Sequence, residues 1–148
     1  MNILVSACLL GLPVRYDGNA KCESWVEALA REHTLIPVCP EQLGGLSTPR
    51  VPCERVGDLV LSRDGDDRTA HFRKGAEQAL RIAQLNGCQV AILKQRSPSC
   101  GSKAVYDGTF TGKIVPGDGV TAELLRQHGI AVFSEEDETA FMREAAFF

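Results

Sequence analysis

Apolar positions along the chain follow two rhythms. Ile3-Leu4-Val5, Thr34-Leu35-Ile36-Pro37-Val38, Gln89-Val90-Ala91-Ile92-Leu93 and Ile130-Ala131-Val132-Phe133 are short, nearly continuous apolar runs. Such runs predict strands buried on both faces, and Pro37 puts the second at a sheet edge or strand end. Val60-Leu61 is a weaker run before the turn Asp64-Gly65-Asp66. Elsewhere the period is helical. Cys22, Trp25, Val26 and Leu29 predict a helix over 22–32. Phe72, Ala76, Ala79, Leu80, Ala83 and Leu85 predict another, stopped by Asn86-Gly87. Thr121 is placed to cap a helix carrying Leu124 and Leu125 and ending at Gly129, and Ser134-Glu135-Glu136-Asp137 opens a last one. Two stretches resist both periods. Residues 39–56 hold Pro40, Gly44, Gly45, Pro49 and Pro52 and read as irregular, as do residues 94–108. Phe110 to Val115 reads as a short strand or irregular chain. Long ordered loops in small domains tend to be functional.

Strands alternating with helices predict an α/β fold: one three-layer Rossmann-like domain over 1–148, with a mostly parallel sheet. In such sheets ligands bind outside the carboxyl ends of the strands. The composition changes this picture little. The chain has 148 residues, 44% hydrophobic and 24% charged, as an ordered globular protein does. A net charge of −3 argues against coating large nucleic acid. No apolar run approaches the ~20 residues of a membrane span. Val5-Ser6-Ala7-Cys8 looks like a lipidation site, but too few residues precede it for a signal. A reducing, cytoplasmic setting is expected, with free or metal-bound thiols.

There are six cysteines and three histidines, with no C-x-x-C pair and no histidine pair at metal spacing. Cys8 follows the first predicted strand, Cys39 the second, and Cys100 the third by seven residues. All three therefore belong to one sheet edge. Cys22 and Cys88 lie within the periodic elements and read as core packing. Cys53 reads as a bystander, with a fourth-ligand role left open. Position alone allows two readings of Cys8, Cys39 and Cys100: a shared thiolate site, or packing under loops. Arg15, Arg50, Arg55, Lys94, Arg96 and Lys103 lie on the same loops, and cations favour thiolates. Asp17, Glu41 and Glu54 supply carboxylates, and Ser97-Pro98-Ser99 supplies hydroxyls beside Cys100. Pro116-Gly117-Asp118-Gly119 reads as a tight turn rather than an anion site.

Longer motifs then add a resemblance. Val5-Ser6-Ala7-Cys8-Leu9-Leu10-Gly11, Arg15-Tyr16-Asp17-Gly18, Cys39-Pro40-Glu41, Gly44-Gly45-Leu46 and Thr48-Pro49-Arg50 resemble the TudS-like thiouracil desulfidases. Leu93-Lys94, Ser97-Pro98-Ser99-Cys100-Gly101, Tyr106-Asp107-Gly108 and Gly117-Asp118-Gly119-Val120 continue the resemblance in order. The resemblance implies a [4Fe–4S] cluster held by Cys8, Cys39 and Cys100, with one iron lacking a protein ligand. It also implies a catalytic carboxylate and hydroxyl at Glu41 and Ser99, with Asp17 as a third member. The expected activity is non-redox removal of sulfur from a small thiolated base or nucleotide, with no redox partner. Glu41 would activate water and Ser99 would orient it or the substrate. The alternative is a non-enzymatic iron–sulfur, zinc or sulfur carrier, which needs the thiols but neither Glu41 nor Ser99. A plain nucleotide-binding module lacks support, because no G-x-G-x-x-G follows the first strand.

Overall fold

A computed structural model describes residues 1–148. In chain order the elements are β1 (Asn2–Ser6), α1 (Ser24–Ala28), β2 (Thr34–Val38), α2 (Pro40–Leu43), β3 (Cys53–Val56) and β4 (Leu59–Ser62). Then come α3 (Thr69–Leu85), β5 (Val90–Leu93), β6 (Ala104–Tyr106), β7 (Ile114–Pro116), α4 (Val120–Gln127), β8 (Ala131–Ser134) and α5 (Glu138–Glu144). The four apolar runs form one parallel sheet, ordered β2-β1-β5-β8. Pro37 lies on its edge strand, as its missing N–H requires.

Alternation along each strand feeds two apolar layers. Leu4, Ala91, Leu93 and Val132 pack with Leu80 and Ala83 of α3 and Ala122 and Leu125 of α4. Ile3, Val5, Val90, Ile92 and Phe133 pack on the other face with Val26 of α1, Leu29 and Phe141 of α5. The result is an α/β fold with helices on both faces of a parallel sheet. The chain winds from β1 outward to β2, then returns to the other side of β1 to lay down β5 and β8. The order reverses at β1–β5, the place where open α/β sheets bind ligands.

Four expectations need correction. The segment 39–56 is not wholly irregular: it holds α2 and begins a hairpin. β3 and β4 pair antiparallel, with Val56 opposite Leu59 across the two-residue turn Gly57-Asp58. A second hairpin begins inside the other irregular stretch with β6 and closes with β7, where the run 110–115 reads as a short strand or irregular chain. Cys22 lies outside the helix and is exposed, its thiol donating to Glu27 at 3.3 Å. The backbone explains this: Lys21 N–H and Glu23 N–H donate to the carbonyls of Cys8 and Leu9, holding residues 21–23 beside the turn that follows β1. Thr121 is buried inside α4 rather than capping it, since Gly119 takes the cap position. Cys88 is core, as expected.

One packing contact sets the position of α2. Gly44 ends that helix and Gly75 lies within α3. A Cβ on Gly75 would fall 1.9 Å from the Pro40 carbonyl oxygen, and one on Gly44 would fall 2.0 Å from that of His71. Only glycine lets these backbones touch, so α2 is pressed directly on α3.

Candidate active site at the carboxyl ends of the sheet

A cavity of about 430 Å³ opens outside the carboxyl ends of β1, β2 and β5. Cys8, Cys39 and Cys100 all line it, and so do Cys53 and Glu41. Each of the three strand-end cysteines is placed by a different local device. Cys8 is in a 3-10 turn, 7–10, which Gly11 ends at φ 89°. Cys39 precedes α2, whose first residue is Pro40; the proline ring presets the helical φ there. Cys100 closes a turn in which the Ser97 hydroxyl oxygen accepts the N–H groups of Ser99 and Cys100, at 3.1 and 3.0 Å.

Burial dominates the thiols. It pushes Cys8 up to about 11, against the pull of Lys94 and Arg15. It pushes Cys100 up to about 12, against a hydrogen bond from Ser6. Cys39 is raised for the same reason. Lys94 and Arg15 do lower Cys8, as cations should, but burial is the larger effect. Cys100 also feels Cys39 and Cys8 electrostatically, and Cys8 feels Cys39, so the trio shares one neighbourhood. Cys53 is pushed to about 11 by burial and then by Glu41, with none of the trio among its perturbing neighbours.

Glu41, in the first turn of α2, faces the cavity beside Arg50. Arg50 Nε lies 3.4 Å from Glu41 Oε1. The rest of that guanidinium is committed to the Val14 and Ser47 carbonyls and the Thr48 hydroxyl. Glu41 Oε2 takes no protein donor. Arg15, Arg63, Lys94 and Arg96 complete the cationic lining, whereas Arg55 and Lys103 do not reach it. Arg55 instead pairs with Glu123 at 2.6 Å.

Two predicted site residues fall elsewhere. Ser99 is 1% exposed, and its hydroxyl shares a 2.7 Å hydrogen bond with Thr121 in the core. It lies off the cavity wall because its neighbour Ser97 takes that place. In Ser-Pro-Ser-Cys the two hydroxyls are equivalent until the turn decides which faces in. Asp17 is also off the wall. Its carboxylate accepts the Asn19 N–H at 3.0 Å in a local turn and lies 3.9 Å from Arg15. The sequence reading missed Arg63, Tyr106 and Phe110 on the wall, and left Glu54 without a place in the site. The Gly57-Asp58 pair between apolar positions was the signal for the hairpin that carries Glu54.

Known proteins resemble this chain over nearly its whole length. YbbK of Bacillus subtilis (strain 168), described as uncharacterized, is 41% identical over 91% of this chain and 96% of its own length. A solved structure described as [4Fe-4S]-dependent thiouracil desulfidase TudS (DUF523Vcz) superposes with a TM-score of 0.94. It is 47% identical and 99% of each chain is covered. The family model for 2-thiouracil desulfurase matches residues 3–137. With its strand-end cysteines, its cavity and that match, this chain belongs to the 2-thiouracil desulfurase family, enzymes that act on a carbon–sulfur bond.

Proposed function

We propose that this protein converts a thiolated pyrimidine base, of the thiouracil type, to its oxo form with release of sulfide and no net electron transfer. The observation that carries this reading is the convergence of Cys8, Cys39, Cys100 and Glu41 on one cavity. The donor set fits an iron–sulfur cluster. It is all sulfur, from three separate loops, with no histidine in the wall. No three Cys, His, Asp or Glu side chains are close-set enough to cage a single ion. A cluster, in contrast, gives each thiolate its own iron. Cys8, Cys39 and Cys100 would hold a [4Fe–4S] cluster and leave one iron without a protein ligand. When bound, it supplies a Lewis acid suited to a soft thiocarbonyl sulfur.

The other tasks belong to this chain's own side chains. Water's oxygen replaces sulfur at the ring carbon, and the sulfur leaves as hydrogen sulfide. Atoms balance without an oxidant or reductant, so no redox partner is required. Glu41 is the general base that takes the water's proton through its free Oε2. Arg50 fixes the carboxylate from the opposite oxygen. Ser97, not Ser99, is the hydroxyl at the cavity. Both its acceptor positions are used by backbone N–H groups, so its own proton is left to donate to substrate or water. Ser99 supports the turn that presents Cys100. Asp17 takes no part in the chemistry.

Along the cavity, Arg63 has no ion pair or side-chain hydrogen bond, and Arg15 has Asp17 at 3.9 Å and the face of the Tyr16 ring. That unspent positive charge suits the phosphate of a thiolated nucleotide. Six free cysteines suit a reducing cytoplasm, and no helix is long and apolar enough to cross a membrane.

The test is anaerobic reconstitution followed by assay with 2-thiouracil, 4-thiouracil and 4-thiouridine monophosphate, without added reductant. Oxo product and sulfide should form one to one. Glu41→Gln should keep its iron and labile sulfide while turnover falls by about 10²-fold or more. Undiminished turnover would remove Glu41 from the mechanism. A loaded wild-type protein inert to all three compounds would overturn the reading.

A further inference from the structure

Glu54 is a buried carboxylate with no part in the chemistry assigned to Glu41 and Ser97. It lies on β3 at 8% exposure and borders the cavity. Its Oε1 accepts two backbone N–H groups from the β6–β7 loop, Gly108 at 3.0 Å and Phe110 at 3.1 Å. Those bonds fix the rotation of the carboxylate and hold Phe110 against the same cavity. Oε2 has no protein donor and no cation in ion-pair range. It is not sealed in either, because the one buried side-chain polar atom without a partner is Arg126 Nε. Glu54 therefore borders the cavity with its carboxylate rotation fixed and one oxygen unspent. Oε2 keeps its acceptor capacity for a ligand N–H.

We infer that Glu54 selects the substrate's tautomeric face by accepting, through Oε2, a ring N–H next to the thiocarbonyl. The inference rests on the desulfidase reading and names the chemistry that its site recognises. Neutral 2-thiouracil carries N–H groups on both sides of its C=S, whereas 2-thiocytosine carries a bare acceptor nitrogen on one side. An ionised carboxylate is acceptor-only, so it welcomes the first and opposes the second lone pair to lone pair. Glu54 is a specificity residue: it orients the ring, while Glu41 handles the proton.

Glu54→Gln tests this directly. The amide oxygen can keep the Gly108 and Phe110 bonds, while the NH₂ group replaces the acceptor in the cavity. Two measurements read the effect: steady-state kinetics with 2-thiouracil and 2-thiocytosine on cluster-loaded protein, and calorimetric binding of uracil and cytosine, which involves no turnover. The variant should raise KM for 2-thiouracil by ~10–100-fold with a smaller change in kcat, the scale of one charge-assisted hydrogen bond. Its preference should shift toward 2-thiocytosine, and binding of uracil against cytosine should shift the same way. Unmodified protein gives an independent check should the variant fold poorly. Of N1-methyl- and N3-methyl-2-thiouracil, at least one should lose ~10-fold or more in kcat/KM. Unchanged KM and preference in Glu54→Gln, or both methylated analogues turned over like the parent, overturns the role of Glu54 alone. A wild-type protein that neither binds nor desulfurises thiouracil brings down the desulfidase reading and this inference with it.

Discussion

On the sheet side of the cavity, Cys8, Cys39 and Cys100 stand on backbone held from behind. α2 presses on α3 through Gly44 and Gly75, and a Cβ on Gly119 would fall 2.4 Å from the Ser99 carbonyl beneath Cys100. On the opposite side, Cys53, Glu54, Tyr106 and Phe110 come from two short hairpins. Their outer residues Val56, Leu59 and Ile114 are exposed. The two sides thus separate the tasks. On the proposed reading, the groups that hold the cluster and the base are anchored to the parallel sheet and its helices, and the groups that select the substrate ride on the two hairpins.

The sharpest way to break this comparison is to remove one sulfur from each side. Cys100→Ser should lose nearly all cluster iron on anaerobic reconstitution, and turnover should fall to background, because a missing ligand removes metal-binding energy directly. Cys53→Ser should retain both iron and turnover. Equal loss in both variants would make Cys53 a ligand and erase the division.

Glycine substitutions sharpen it on a smaller scale. Gly75→Ala should lower stability by about 1–3 kcal/mol in urea unfolding, since the new methyl meets a backbone carbonyl that cannot step aside. Turnover should fall with it, because α2 carries Glu41 and follows Cys39. Gly65, in the turn beyond β4, has open space around its missing Cβ at φ 85°. Gly65→Ala should cost about 1 kcal/mol from backbone strain and leave turnover intact.

The smallest effect concerns acid. Asp67, between β4 and α3, is held below the ordinary carboxylate value of 3.8 by its hydrogen bonds from Thr69. A lowered folded value means that its contribution is present above 3.8 and fades as pH falls through the folded value. The melting temperature of iron-free protein should therefore drop as the medium is acidified below that point. Asp67→Ala should flatten the drop slightly without touching activity at neutral pH.

The parallel sheet was legible because its strands are buried on both faces and so appear as unbroken apolar runs. Cys8 and Cys39 follow β1 and β2 directly, so strand ends were enough to place them. What the sequence hid was decided by contacts between distant segments. Cys22 has helical spacing with Trp25 and Val26, yet the pairing of Lys21 and Glu23 with the turn after β1 draws it out of the helix. Ser97 and Ser99 are chemically alike, and Thr121, more than twenty residues downstream, claims one of them. Glu54 gave no sign of its place because its partners are amides of a loop more than fifty residues away. The hairpins were hidden by brevity, since three or four residues carry little periodicity.

Pro37 has one more consequence. It interrupts the outer edge of β2, the strand whose end leads into Cys39. An uninterrupted apolar edge there would offer a ladder to any stray extended chain, and pairing would tug at the very segment that carries Cys39. The ring removes one rung of that ladder, which protects the corner beside the cavity from strand recruitment and the protein from aggregation along that side.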